Sequence, residues 1–112
     1  RKGMEFMNVL LICAAGMSST CLAQNMKKAA KELQRTDIKI SAHSEYEIES
    51  YLEEADVCLL GPHLKTMEES IKEMAREDYD VPVQCIPSEI YGALDGLGAL
   101  QLALNMAEEE KR

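Results

Sequence analysis

The sequence predicts a doubly wound α/β domain, three layers deep, with helices on both faces of a four-stranded parallel sheet. Three observations carry that prediction. Four short apolar runs lack the polar alternation of a half-exposed strand, which suits strands covered on both faces. Between them lie stretches whose apolar residues recur at helical spacing. The two kinds of segment alternate in order, and right-handed helical crossovers turn such an order into a parallel sheet. A chain of 112 residues is long enough for one hydrophobic core and too short for two comfortable ones.

The first run spans about Met7 to Ile12. Residues 1–6, Arg1 to Phe6, show no period and precede a second methionine, Met7; they read as a tag remnant or flexible leader, leaving 7–112 as the domain. Small residues follow the run, and then Leu22, Met26, Ala29, Ala30 and Leu33 share one face of a helix. The second strand, Ile38 to Ala42, follows Thr36-Asp37, and Ile48, Tyr51, Leu52 and Ala55 repeat the helical pattern. Asp56 to Leu60 is the third strand, ended by Gly61-Pro62, and Leu64, Met67, Ile71 and Met74 mark the next helix. Val83 to Ile86 lies between two prolines as the fourth strand, and Leu97, Leu100, Leu104 and Ala107 mark the last helix. Asp95 reads as its N-cap, because Gly96 and Gly98 weaken any helix already running through them. The simplest order that places the first strand centrally is 2-1-3-4. Ligands of such sheets bind beyond the carboxyl ends of the strands. Cys13, Gly61-Pro62-His63 and the segment after Ile86 converge there.

Composition narrows the function classes. Apolar residues make up 46% of the chain, and no linker, repeat or low-complexity tract interrupts them. No apolar run approaches a membrane span and no signal peptide opens the sequence, so a soluble cytoplasmic domain is expected. The four cysteines, at 13, 21, 58 and 85, form no CxxC pair, which argues against a zinc site or disulfide framework. Neither a metal nor a cofactor is expected. Twenty acids against twelve bases give a formal charge of −8, which disfavours nucleic acid as a partner. The charge is uneven: Lys27, Lys28, Lys31, Arg35 and Lys39 dominate residues 18–40, whereas twelve acids crowd residues 45–80. Such a two-signed surface orients a protein partner or is merely solvated.

Cys13 carries the chemistry. It stands where Val9-Leu10-Leu11-Ile12 runs out into Ala14-Ala15-Gly16-Met17-Ser18-Ser19-Thr20 at the start of a helix. A thiol there meets the positive end of the helix dipole and N–H groups without intrahelical partners, which favour a thiolate and hold an anion attached to it. The small residues leave room, Gly16 tolerates unusual backbone angles, and Ser18, Ser19 and Thr20 supply hydroxyl donors. The plainer alternative is a small buried hydrophobe beside an ordinary N-cap. The spacing is similar to the loop of low-molecular-weight tyrosine phosphatases, but Ser19 stands where those enzymes carry arginine. Without a guanidinium to bind phosphate bidentately, rapid hydrolysis is disfavoured. A slow cysteine phosphatase or arsenate-reductase-like enzyme stays an alternative, with Asp95 or Glu89 as its acid, as does an anion-sensing binding module without catalysis.

Cys13-Ala14-Ala15-Gly16-Met17-Ser18-Ser19-Thr20 closely resembles the Cys-x-x-Gly-Met-Ser loop of lactose/cellobiose-type IIB components of the bacterial sugar phosphotransferase system. Val57-Cys58-Leu59-Leu60-Gly61-Pro62-His63 is similar to that family's third strand and Gly-Pro turn, and Tyr91-Gly92-Ala93-Leu94-Asp95-Gly96 to its Tyr-Gly-x-x-Asp-Gly block. The resemblance runs from about Met7 to Ala107. It implies that Cys13 receives a phosphoryl group from a phosphohistidine on the IIA component and passes it to a sugar held by the membrane IIC component. The sugar it suggests is a disaccharide such as cellobiose, chitobiose or lactose. Ala14 to Thr20 would form the phosphate-binding loop, and Gly61, Pro62, His63 and Tyr91 its rim or a partner contact. Met17 is expected at the docking surface or packed beneath the loop. Cys21 departs from the family, where an apolar residue is commoner, and either packs or pairs with Cys13 in a redox switch. His43 is expected at the surface, and the protein as a monomer visiting the inner membrane face through IIC.

Overall fold

A computed structural model describes residues 6–13 and 17–110, without the side chains of 13, 17–21 and 110. Residues 1–5 of the expected leader therefore lie outside the described residues. Strand β1 (Met7–Cys13) is followed by helix α1 (Met17–Glu32) and strand β2 (Ile38–Ser44). A 3₁₀ turn over Glu45–Glu47 leads into the short helix α2 (Ile48–Leu52), then strand β3 (Val57–Leu60). A second 3₁₀ turn over Pro62–Met67 continues into α3 (Glu68–Tyr79), and β4 (Val83–Cys85), α4 (Ser88–Gly92) and α5 (Gly96–Glu110) complete the chain.

The sheet has the order β2-β1-β3-β4 and every pair is parallel, as the sequence predicts. Alternation along the strands divides the core in two. Val9, Leu11, Val57 and Leu59 face Leu22, Met26, Ala30, Leu100 and Ala103 of α1 and α5. Leu10, Ile12, Cys58, Leu60 and Cys85 face Ile48, Leu52, Ile71 and Ala75 of α2 and α3. Strands buried on both faces have no polar side to show, which is why their sequence reads as continuous apolar runs.

Local chemistry fixes where elements stop. Helix α1 ends in a left-handed residue, Gln34 (φ 59°), with Arg35 N–H donating to the Ala30 carbonyl and Gln34 N–H to that of Lys31. That is the Schellman arrangement, and it satisfies carbonyls that the helix leaves open. At the amino edge of the sheet, Asp56 Oδ2 accepts from Asn8 N–H at 2.7 Å and Asn8 Nδ2 donates to the Glu54 carbonyl at 2.9 Å, tying β1 to the entry of β3. Asp95 caps α5 as expected, its Oδ1 accepting from Gly98 N–H at 3.0 Å.

Candidate functional site

Cys13 is the last residue of β1, at the carboxyl edge, in register with Ser44 of β2. Helix α1 opens four residues later at Met17, with no acidic residue in its first turn. The N–H groups that begin a helix have no intrahelical carbonyl to bond, so their partial positive charge is directed at whatever lies before them. Of the expected loop, Ala14, Ala15 and Gly16 lie outside the described residues. Met17, Ser18, Ser19 and Thr20 form the first turn of α1, and their side chains, with those of Cys13 and Cys21, lie outside them too.

The neighbouring strand supplies a second wall. Gly61 N–H donates to the Ile12 carbonyl at 2.9 Å, so Gly61 occupies the rung after the Ile12–Leu60 pair, beside the backbone of residue 13. Pro62 then opens the 3₁₀ turn, and Leu64 N–H closes back on the Gly61 carbonyl at 3.0 Å. That tight reversal folds His63 over Gly61: a β-carbon placed on Gly61 would lie 2.9 Å from the imidazole Nδ1 and 2.7 Å from Cε1. The same point is 3.5 Å from Cε1 of Tyr91. Tyr91 arrives on α4, whose approach is set by Ile86 N–H donating to the Leu60 carbonyl at 2.8 Å and Tyr91 N–H to that of Pro87 at 3.0 Å. The structure thus brings Gly61, His63 and Tyr91 together next to the strand end that bears Cys13.

Other expected players sit elsewhere. His43 is not a simple surface residue: its ring stacks on Tyr51 at 3.5 Å between centroids and Nδ1 lies 3.7 Å from Glu47 Oε1. Asp95 is occupied by capping, not acid chemistry. Cys58 is fully buried in β3, and burial pushes its thiol up to about 12. Among the described residues no group of three metal-ligating side chains converges.

Sequence reasoning missed Glu68. It is 7% exposed at the start of α3, and its Oε2 accepts the Cys85 N–H at 2.9 Å. Lys65 Nζ bonds Oε1 at 3.0 Å and Lys72 Nζ lies 3.6 Å from Oε2. Burial pushes its carboxyl up, but the Cys85 N–H and the two lysines outweigh that and hold it below the usual carboxylate range. The link joins the 3₁₀ turn that carries His63 to the strand that leads to Tyr91. Its one sequence signal is Lys65-x-x-Glu68-x-x-x-Lys72, a spacing that surface helices also show.

The chain is similar to known proteins over nearly its whole length. The model of the family described as "PTS system, Lactose/Cellobiose specific IIB subunit" matches residues 8–102. A galactose-specific EIIB component of Lactococcus lactis subsp. cremoris is 36% identical over 103 residues, covering 88% of this chain and 94% of that protein. An oligo-beta-mannoside-specific EIIB component of Bacillus subtilis is 29% identical over 98 residues, covering 88% and 93%. In structure, the cellobiose-specific IIB component of Borrelia burgdorferi superposes with a TM-score of 0.77 at 33% identity, covering 96% of this chain and 97% of that one.

Proposed function

Because the chain belongs to the lactose/cellobiose-specific IIB subunits of the phosphotransferase system, we propose that it is a phosphoryl carrier whose nucleophile is Cys13. The thiolate attacks the phosphorus of a phosphohistidine on the IIA component. The S–P bond forms as the N–P bond breaks, and the imidazole leaves with its electron pair and takes up a proton. In the second step a sugar hydroxyl on IIC attacks the same phosphorus; O–P forms, S–P breaks, the thiolate is regenerated and the hydroxyl proton passes to a base on the acceptor side. Transfer of this kind needs in-line positioning and charge stabilisation more than covalent help.

The observation that carries the reading is the placement of Cys13 at the carboxyl end of a central strand, four residues before the start of α1. Residues 14–20 serve as the phosphate loop chiefly through backbone N–H groups, with the hydroxyls of Ser18 and Ser19 as further donors. No arginine or lysine lies between Cys13 and Asn25. That suits a carrier, which must hold its phosphoryl group without hydrolysing it.

In this reading the protein acts at the cytoplasmic side of the membrane as a monomer, meeting IIA and then IIC. Among the described residues no helix is long and apolar enough to cross a membrane, and in this reading the membrane is reached through IIC. Relatives named for galactose and for oligo-beta-mannoside show that the family's members serve different sugars. The cargo proposed here is a disaccharide such as cellobiose, chitobiose or lactose, selected mainly by IIC.

The test is intact-protein mass after incubation with phosphoenolpyruvate, the general carriers and a cellobiose-type IIA, beside Cys13→Ser. One phosphoryl group, mapped to Cys13 and absent from the variant, is the expected result. No label on the protein in the presence of demonstrably phosphorylated cognate IIA would overturn the carrier reading in favour of an anion-sensing module.

A further inference from the structure

We propose that His63 is a direct phosphoryl contact, donating a ring N–H to the phosphoryl group carried on Cys13. The inference rests on the carrier reading above. It starts from the rung that Gly61 occupies. The bond from Gly61 N–H to the Ile12 carbonyl sets residue 61 beside residue 13 on the adjacent strand, and neighbouring strands lie about 4.8 Å apart. Residues two apart on a strand share a face, so Gly61 belongs to the face of Val57 and Leu59, the same face that Val9 and Leu11 present on β1.

A side chain at position 61 would project over that face. Gly61 has none, and the imidazole of His63 takes its place: Cε1 and Nδ1 lie 2.7 Å and 2.9 Å from where a β-carbon would be. Gly61 has φ −62° and ψ 151°, a conformation open to any residue, so glycine is not needed there for its backbone freedom. What it provides is the seat for the ring. Tyr91 borders that seat, with Cε1 3.5 Å from the same point.

The chemistry also calls for such a group. A phosphoryl group on sulfur carries close to two negative charges. The chain between Cys13 and Asn25 offers it no arginine or lysine. An imidazole always has at least one N–H to donate, and hydrogen bonds to charged acceptors are the stronger class. Of the two histidines, His43 is stacked on Tyr51 and neighbours Glu47. His43 also lies on a strand beside β1, but it pairs with Ile12, whose face is opposite to that of residue 13, whereas the His63 ring, in the turn after β3, takes the place of a side chain at Gly61.

The experiment follows the imidazole nitrogens by long-range ¹H–¹⁵N NMR before and after phosphorylation with phosphoenolpyruvate, the general carriers and a cellobiose-type IIA. A contact would move a His63 ring nitrogen on phosphorylation and leave those of His43 in place. In parallel, the ratio of phosphorylated IIB to phosphorylated IIA at equilibrium is compared among variants. His63→Ala should lower it by roughly tenfold, the scale of one hydrogen bond to a charged group. His63→Gln, which keeps an N–H donor, should recover much of the loss. Gly61→Ala, which keeps the imidazole but occupies its seat, should lower the ratio as His63→Ala does. Thermal unfolding of each variant separates these effects from misfolding. Labelled Cys13 with unmoved His63 nitrogens and a wild-type ratio in His63→Ala would overturn this proposal alone. A chain in which Cys13 takes no label overturns the carrier reading and this contact with it.

Discussion

At the scale of single residues, thiols of one chain are set to differ in reactivity by where the strands place them. Cys58 is fully buried, and desolvation disfavours its thiolate so strongly that the thiol is pushed up to about 12. Cys85, on the same face of the sheet, is raised by burial and then by the Glu68 carboxylate. Both stay protonated at neutral pH, and the thiolate is the nucleophile. Brief iodoacetamide treatment at pH 7 should therefore spare Cys58 and Cys85 until denaturant is added, while a thiolate at Cys13 reacts in the native protein. Peptide mapping by mass reads this directly; modification of Cys58 in the native protein at the rate of Cys13 would contradict it. The inert pair was legible in sequence, since both cysteines interrupt apolar strands. The setting of Cys13 was legible only in part. Its place at a strand end follows from the pattern, but the seat of His63 depends on which residue of β3 stands beside Cys13, and strand register leaves no mark in Gly61-Pro62-His63.

At the scale of elements, two glycines four residues apart, Gly92 at the end of α4 and Gly96 at the start of α5, do opposite work. Gly96 is buried at the start of α5, where an added β-carbon would collide with the backbone carbonyl of Asn25 and lie 2.6 Å from Met26 N. Helices α1 and α5 cross there with backbone against backbone, and Asn25 Nδ2 fastens the contact by donating to the Leu94 carbonyl at 2.8 Å. Gly92 ends α4 with nothing within 4 Å of its missing β-carbon. Gly96→Ala should destabilise by about 1–3 kcal/mol, the cost of overpacking rigid backbone. Gly92→Ala should be neutral or stabilise by up to about 1 kcal/mol through a less free unfolded chain. Urea unfolding of both variants checks the pair, and equal effects would refute the close helix crossing. The long elements were readable because α1, α3 and α5 span several turns, enough for apolar spacing to show. Helix α2 was read from Ile48, Tyr51 and Leu52, although the apolar pattern ran on to Ala55 beyond its end, whereas the five-residue α4 and the two 3₁₀ turns were not, because one turn cannot display a period. Gly96 was read correctly as lying at a helix start, but its contact with α1 is tertiary and has no local signature.

At the scale of the whole molecule, Glu68 is the place where stability and the site's architecture meet. β4 is an edge strand, and its outward Cys85 N–H would face the groove beside α3 unpaired without the Glu68 carboxylate. The Cys85 N–H and two lysines keep that carboxylate charged despite its burial. The same residue thereby holds the 3₁₀ turn bearing His63 against the strand that leads to Tyr91. Its folded pKa is depressed below the ordinary value of 4.5. The unfolded chain therefore takes up a proton first as the pH falls, so this stabilisation is full above about pH 5 and is lost as pH drops through the folded value. Lys65 is largely exposed and Lys72 partly so, and both return to water when the acid is removed. The cost of Glu68→Gln, which retains an acceptor for Cys85, is accordingly set at about 1–2 kcal/mol near neutrality. Glu68→Ala, which strands the Cys85 N–H, should cost about 1 kcal/mol more. Urea midpoints from pH 7 to pH 3 distinguish a latch from a passive surface charge. Wild-type protein should lose its advantage over Glu68→Gln as the medium is acidified below about pH 4.5, the two curves converging. Parallel curves through that range would show that the carboxylate does not hold the edge strand and the site-bearing turn together.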